Sequence, residues 1–225
     1  MGSDDLFKKA KARSAASLVR QRKERSKSPR YLIVCEGTKT EPQYLFEILM
    51  AQRIPPQQVK VAPNDGNSPD RVVDHAYKLY EEDARLGDPY DKVFCVFDRD
   101  SHQTFEPALQ RIHRWAKDRK PFVATTSTPC FEFWLMLHFD YSDAPFHAAG
   151  KKSVGDQALA QLKKKPGFAK YGKGIKGVYG LLKDKTSVAS TYAKRLRRSA
   201  GGGGQINGNP WTNVDELVNL LLNLK

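Results

Sequence analysis

The feature that most constrains this chain is an apolar run, residues 92–100, which ends on two carboxylates separated by one residue. Five consecutive apolar side chains that stop on acids are typical of a strand buried on both faces of a sheet. Its acids, Asp98 and Asp100, would then lie at the carboxyl edge of a parallel sheet, where open α/β sheets place their sites. Alternation along an extended chain sends both carboxylates to the same side.

An earlier run, residues 31–37, has the same shape, with Glu36 after the apolar residues and Gly37 to let the backbone turn. If the two strands pair in parallel, Glu36 joins Asp98 and Asp100. Converging acids repel one another unless a hard cation lies between them, and oxygen ligands suit Mg²⁺ or Mn²⁺. We therefore expect a divalent-metal site. His102 follows closely. It could transfer a proton, contact a phosphate or hydrogen-bond a metal ligand, or it could be a loop histidine without a role.

The segment between the two runs predicts a phosphate-binding helix. Residues 40–43 fit a capping box, with Thr40 as the N-cap. The free amide groups of this helix would face the proposed site and, together with Lys39, could hold a phosphate.

A further acid, Glu132, stands in the apolar segment 128–139, which predicts a helix buried on every side. A buried carboxylate needs a cation, a metal or a hydrogen-bonding network. Glu132 is thus expected at or beside the metal, or alternatively in a structural ion pair with an arginine.

Strand and helix patterns alternate four times between residues 31 and 139. This order predicts an α/β fold with a central parallel sheet of about four strands between helices. We divide the chain into a basic flexible arm (1–30), an α/β core (31–147) and a basic, mainly helical C-terminal part (148–225) whose last helix packs back on the core. The three cysteines lie in apolar segments without framework spacing, and no stretch resembles a signal peptide or a membrane span. These features favour a soluble cytoplasmic protein.

The net charge of +13 is unevenly distributed, because both ends of the chain are basic and the middle is acidic. A polyanion would be drawn to the ends while a metal occupies the middle, as in proteins that do metal chemistry on nucleic acid. The simpler alternative is solubilising charge on exposed helices. The candidate nucleic-acid contacts in the C-terminal part are Lys151, Lys152, Lys163, Lys164, Lys165, Lys173, Lys176, Arg195, Arg197 and Arg198.

Four motifs, taken in order, resemble the RloB family. They are VCEGTKTE at 34–41, DRDSH at 98–102, PCFEFWL at 129–135 followed by HF at 138–139, and NPWTNV at 209–214. That family is similar to Toprim-fold proteins, which carry a glutamate after the first strand and a DxD motif after a later one. The resemblance implies that Glu36, Asp98 and Asp100 bind metal, and it implies a nuclease linked to prokaryotic phage-defence loci.

We therefore expect Mg²⁺- or Mn²⁺-dependent phosphodiester hydrolysis, with Lys39 and His102 supporting the phosphate or the proton transfer. Two alternatives remain open. One is a nucleic-acid-binding or sensing module without catalysis, and the other is a toxin-like nuclease that cleaves tRNA. The sequence does not distinguish DNA from RNA, nor does it show whether a protein partner from the same locus is required.

Overall fold

The computed structural model describes residues 28–64, 68–100, 103–148, 150, 152–199 and 208–224. Most of the expected basic arm, together with His102, Lys151 and the glycine run at 201–204, lies outside the described residues. The strands are β1 (Tyr31–Cys35), β2 (Val59–Pro63), β3 (Lys92–Asp98), β4 (Phe122–Thr128) and β5 (Trp211–Thr212).

The five strands form one sheet in the order β2-β1-β3-β4-β5, and the first four are parallel. The expected α/β fold with a parallel core is therefore confirmed, although the sheet has one strand more than predicted. The extra strand, β5, pairs antiparallel with the end of β4. Beyond it, the Asn213 side chain accepts a bond from the amide of Thr126 (2.7 Å) and donates one to the carbonyl of Ala124 (2.9 Å), which extends the edge pairing.

Eight α-helices surround the sheet in the described part of the chain. They are α1 (Thr40–Ala51), α2 (Pro69–Arg85), α3 (Phe105–Lys117), α4 (Glu132–Met136), α5 (Val154–Leu162), α6 (Val178–Leu182), α7 (Thr186–Ser199) and α8 (Val214–Leu222), with a 3-10 turn at Lys183–Lys185. The single buried helix expected over 128–139 is wrong in extent. Strand β4 continues to Thr128, and the α-helix begins only at Glu132.

Alternating side chains of the strands separate two apolar cores. On one face, Leu32 and Val34 of β1 pack with α2 and α3. On the other face, Ile33 and Cys35 pack with α1, α4 and the C-terminal helices. Because β1 is buried on both faces, its residues form a continuous apolar run rather than an alternating one.

The C-terminal part belongs to the second of these cores. Leu182, Ala193 and Leu196 are buried there beside Leu217 and Leu221 of α8. The last helix, α8, thus packs on this core. Among the helices that the structure describes, none combines the length and the apolar character needed to cross a membrane.

Candidate functional site

The carboxyl ends of β1 and β3 bring Glu36 and Asp98 together. The two strands are parallel neighbours with Cys35 opposite Val96, and the amide of Glu36 donates to the carbonyl of Val96 (2.9 Å). The Glu36 carboxylate in turn accepts a hydrogen bond from the amide of Asp98 (3.0 Å). The strand pairing proposed from the sequence thus places these two acids at one point of the sheet edge.

Asp100 reaches the same cleft by a different route from the predicted one. Strand β3 ends at Asp98, so the alternation argument does not extend to Asp100. Instead, Asp100 adopts a φ of 25°, and its amide donates to the carbonyl of Pro129 (3.2 Å). Its exposed side chain contributes to the lining of the cleft, whereas the Asp98 carboxylate lies deeper and accepts a bond from the amide of Phe131 (3.2 Å).

Glu132 faces this cleft from the first turn of α4, with 3% of its surface exposed. Its Oε1 accepts a hydrogen bond from the Tyr171 hydroxyl (3.4 Å). Within the described residues, the arginine ion pairs go to other acids, so the alternative of an arginine partner for Glu132 is not observed. Glu132 instead interacts electrostatically with Lys173, on the loop before α6, and raises the pKa of that lysine.

A fourth buried acid, Glu41, was not singled out from the sequence. The predicted capping box is wrong, because Lys39 is the N-cap residue of α1 and no side chain caps this helix end. Glu41 instead lines the cleft with 7% exposure. Gly37 permits this placement, since a β-carbon at that position would overlap the Glu41 carboxylate. Its position, five residues after Glu36 and just past the turn, is the sequence feature that could have indicated Glu41 as a site residue.

The acids strongly affect one another's protonation. Burial, followed by the nearby charges of Glu132 and Glu36, raises the pKa of Glu41 to about 7, although its own amide and Lys173 oppose the change. Burial also raises the pKa of Asp98 well above its usual range, and Glu41 adds to this effect. Burial alone would lower the pKa of Lys173, but Glu132 and Glu41 outweigh it and raise that pKa.

The resulting cleft has a volume of about 330 Å³. It is lined by Glu36, Gly37, Thr38, Lys39, Thr40, Glu41, Asp98, Asp100, Glu132 and Lys173. Five carboxylates in one small space form a donor set that fits a hard divalent cation, since such ions prefer oxygen ligands. As the side chains are arranged, however, no group of three acids, histidines or cysteines among the described residues already converges on a common metal position.

The predicted nucleic-acid contacts fall into different environments. Lys165 pairs with Asp140 (2.7 Å), and the Arg195 guanidinium lies 4.1 Å from the centre of the Tyr141 ring. Arg197 is partly buried. The remaining described residues of the set are exposed, namely Lys152, Lys163, Lys164, Lys173, Lys176 and Arg198.

Arg197 requires a correction, because it belongs to an internal ion pair rather than to the basic surface. Its guanidinium binds the fully buried carboxylate of Asp215 through two hydrogen bonds, one of them 2.9 Å long. It also donates to the carbonyl of Thr212 (2.8 Å).

The fold and the cleft define an α/β protein with a mostly parallel sheet and an acidic cluster at the carboxyl edge of its central strands. The profile of the RloB-like protein family matches residues 31–221, which cover the sheet, the cleft and nearly all of the C-terminal part. The chain therefore belongs to the RloB-like family. A comparison with curated proteins gave no match.

Proposed function

We propose that this protein is a divalent-metal-dependent nuclease of the Toprim type that hydrolyses phosphodiester bonds of nucleic acid. The observation that carries the proposal is the cleft itself, which Glu36, Asp98 and Glu132 line at a sheet edge together with Lys39 and Lys173. Acids whose pKa values are raised by burial and by neighbouring charges are found more often at functional sites than elsewhere, because the chemistry of such sites requires shifted pKa values.

The candidate metal ligands are Glu36, Asp98, Asp100 and Glu132. A bound Mg²⁺ or Mn²⁺ would polarise the phosphate and lower the pKa of a bound water. The chain's own contribution is to hold the acids on rigid strand ends and to bring positive charge to the rim. Lys39 and Lys173 line the cleft and would bind the oxygens of a phosphate at its mouth.

The proposed substrate follows from the charge distribution of the chain. Exposed lysines of the C-terminal part, among them Lys152, Lys163 and Lys164, provide positive charge that attracts a phosphate backbone. A role in anti-phage defence, with or without a partner protein from the same locus, rests on the resemblance to the RloB family alone.

A non-catalytic nucleic-acid-binding module is the second candidate. It is favoured by one observation, that no three ligands in the described residues are already arranged around a metal position. Such a module would keep the basic surface and the buried core, but it would bind nucleic acid without cutting it.

The test is a cleavage assay with labelled single-stranded DNA, double-stranded DNA and RNA in Mg²⁺, Mn²⁺ or EDTA. We expect cleavage by the wild-type protein only with metal, and a loss of about 100-fold or more in rate for Asp98→Asn, because a ligand to a metal worth several kcal/mol is removed. Asp118→Asn, which changes an exposed acid at the end of α3, is the matched control and should cleave normally.

Two results would reject the nuclease. If no substrate is cut while nucleic acid is still bound in a salt-dependent way, the binding module is correct. If Asp98→Asn cleaves as fast as the wild type, the activity does not reside in this cleft.

A further inference from the structure

A second groove, about 450 Å³ in volume, adjoins the acidic cleft. The two share Thr38, Lys39 and Lys173 in their linings, so they are continuous around the N-terminus of α1. The part of the groove away from the acids is lined by Pro42, Gln43 and Phe46 of α1. A ligand that passes the two lysines therefore meets an aromatic ring next.

Among the large apolar side chains that are exposed in the described part of the chain, Phe46 is the one aromatic ring, and 43% of its surface is exposed. Phe46 lines the second groove, whereas Met50, one turn later on the same helix, lies outside both grooves described above. An exposed ring beside two lysines offers a π-face for a flat apolar group and positive charge for an anion.

The loop that carries Lys173 and Gly174 forms the wall of the groove opposite α1, and the residues that follow it are hydrogen-bonded to α1. Glu47, which follows Phe46, accepts hydrogen bonds from the amides of Gly177 (2.6 Å) and Tyr179 (2.8 Å). Nearer the cleft, Gly174 has a φ of +85°, and a β-carbon there would lie 3.1 Å from the β-carbon of Lys39. The loop that carries Lys173 is thus held against α1 by these hydrogen bonds and by this close approach.

From this arrangement we infer that the groove holds an unpaired nucleotide next to the scissile phosphate, with its base stacked on Phe46 and its phosphate between Lys39 and Lys173. The inference rests on the proposed function, and it names the substrate class as single-stranded nucleic acid or an unpaired segment. In a duplex each base is already stacked on its neighbours, so its face is not available to the ring.

The test measures binding by fluorescence anisotropy in EDTA, so that affinity is independent of cleavage. The probes are a labelled single-stranded DNA, the matching RNA and a blunt DNA duplex. Phe46→Ala should weaken binding of the single strands by about tenfold, because a stacked base is lost, and should leave the duplex affinity unchanged. Phe46→Trp should retain single-strand affinity, and Met50→Ala should match the wild type on every probe.

The inference is overturned if Phe46→Ala binds single strands as well as the wild type does, if it loses duplex affinity equally, or if Phe46→Leu retains full affinity, since Leu lacks a π-face. A wild-type protein that binds none of the probes also overturns it. Failure of the proposed function is a separate result: the wild type would cut nothing in Mg²⁺ or Mn²⁺ while the effect of Phe46 on single-strand binding persists.

Discussion

At the scale of single residues, the acidic cleft works against the stability of the protein. Asp98 lies close enough to Glu41, Glu132 and Glu36 for all three to raise its pKa, after burial has done so. Burying carboxylates near one another costs free energy that a structural role would not require. This cost is the physical reason to regard the cleft as a binding site for positive charge.

His138 is a second residue with an altered pKa, and it makes stability depend on pH. Burial lowers the pKa of His138 to about 4, against the opposing effect of a bond to the carbonyl of Trp134 (3.1 Å). Between the usual histidine pKa of about 6.5 and this value, the unfolded chain binds a proton that the native protein does not. Stability is therefore lost as the pH falls through this window, by up to about 3 kcal/mol.

Urea unfolding of the wild type and of His138→Phe between pH 7 and pH 4 measures this effect. The free energy of unfolding of the variant should fall less steeply with acid, because Phe binds no proton in either state. His113→Gln, at an exposed position on α3, should keep the wild-type slope. Parallel curves for wild type and His138→Phe would show that His138 titrates normally in the native protein.

At the scale of secondary-structure elements, one ion pair joins α7 to α8 and to the edge of the sheet. Arg197 of α7 binds the buried carboxylate of Asp215 on α8 and the carbonyl of Thr212 on β5. Removing the arginine leaves a buried charge without its partner. We expect Arg197→Met to lower the free energy of unfolding by about 3–5 kcal/mol.

The neighbouring Arg198→Met is the matched control, since Arg198 is exposed, and it should change stability by less than about 0.5 kcal/mol. Chemical denaturation of the two variants checks both values. Equal stability of Arg197→Met and the wild type would mean that the ion pair contributes nothing to stability. Arg197 would then again be a candidate nucleic-acid contact.

The strands that could be predicted from the sequence are those whose buried residues form a recognisable apolar pattern along the chain. β1 and β3 each contain an apolar run of five residues, and β4 begins with three apolar residues. Their parallel pairing follows from the helices between them. β5 has two residues, too few for any periodicity, and its position depends on distant pairing with β4. The start of α4 was misplaced because the residues that connect β4 to α4, Pro129, Cys130 and Phe131, are as apolar as the helix itself.

The sequence likewise pointed to only part of the candidate site, namely the acids that directly follow a buried strand. Glu36 and Asp98 follow buried strands directly, so strand pairing was enough to bring them together. Glu41 was not singled out, because it lies inside the segment 40–43 that was predicted as a capping box with Thr40 as its N-cap. Lys173 stands among many similar lysines, and only the packing of its loop against α1 brings it to the cleft.

At the scale of the whole molecule, opposite charges are separated between the cleft and its surroundings. Five acids of the core line the cleft at the sheet edge, while the C-terminal part supplies Lys173 at the rim and exposed lysines beyond it. Such an arrangement attracts a polyanion to the surface and a cation to the centre. Both kinds of ligand are needed for metal-assisted cleavage of nucleic acid, and this is the central claim of the proposed function.

The most direct measurement of that claim is a titration with Mn²⁺, in which electron paramagnetic resonance records the free ion. We predict that the wild-type protein removes Mn²⁺ from solution, that Mg²⁺ competes for the same site, and that Glu36→Gln weakens binding by about tenfold or more. The amide oxygen of Gln can still accept the bond from Asp98, so the local structure should be retained. A wild-type protein that binds no Mn²⁺, or a Glu36→Gln variant that binds it equally well, would contradict the claim.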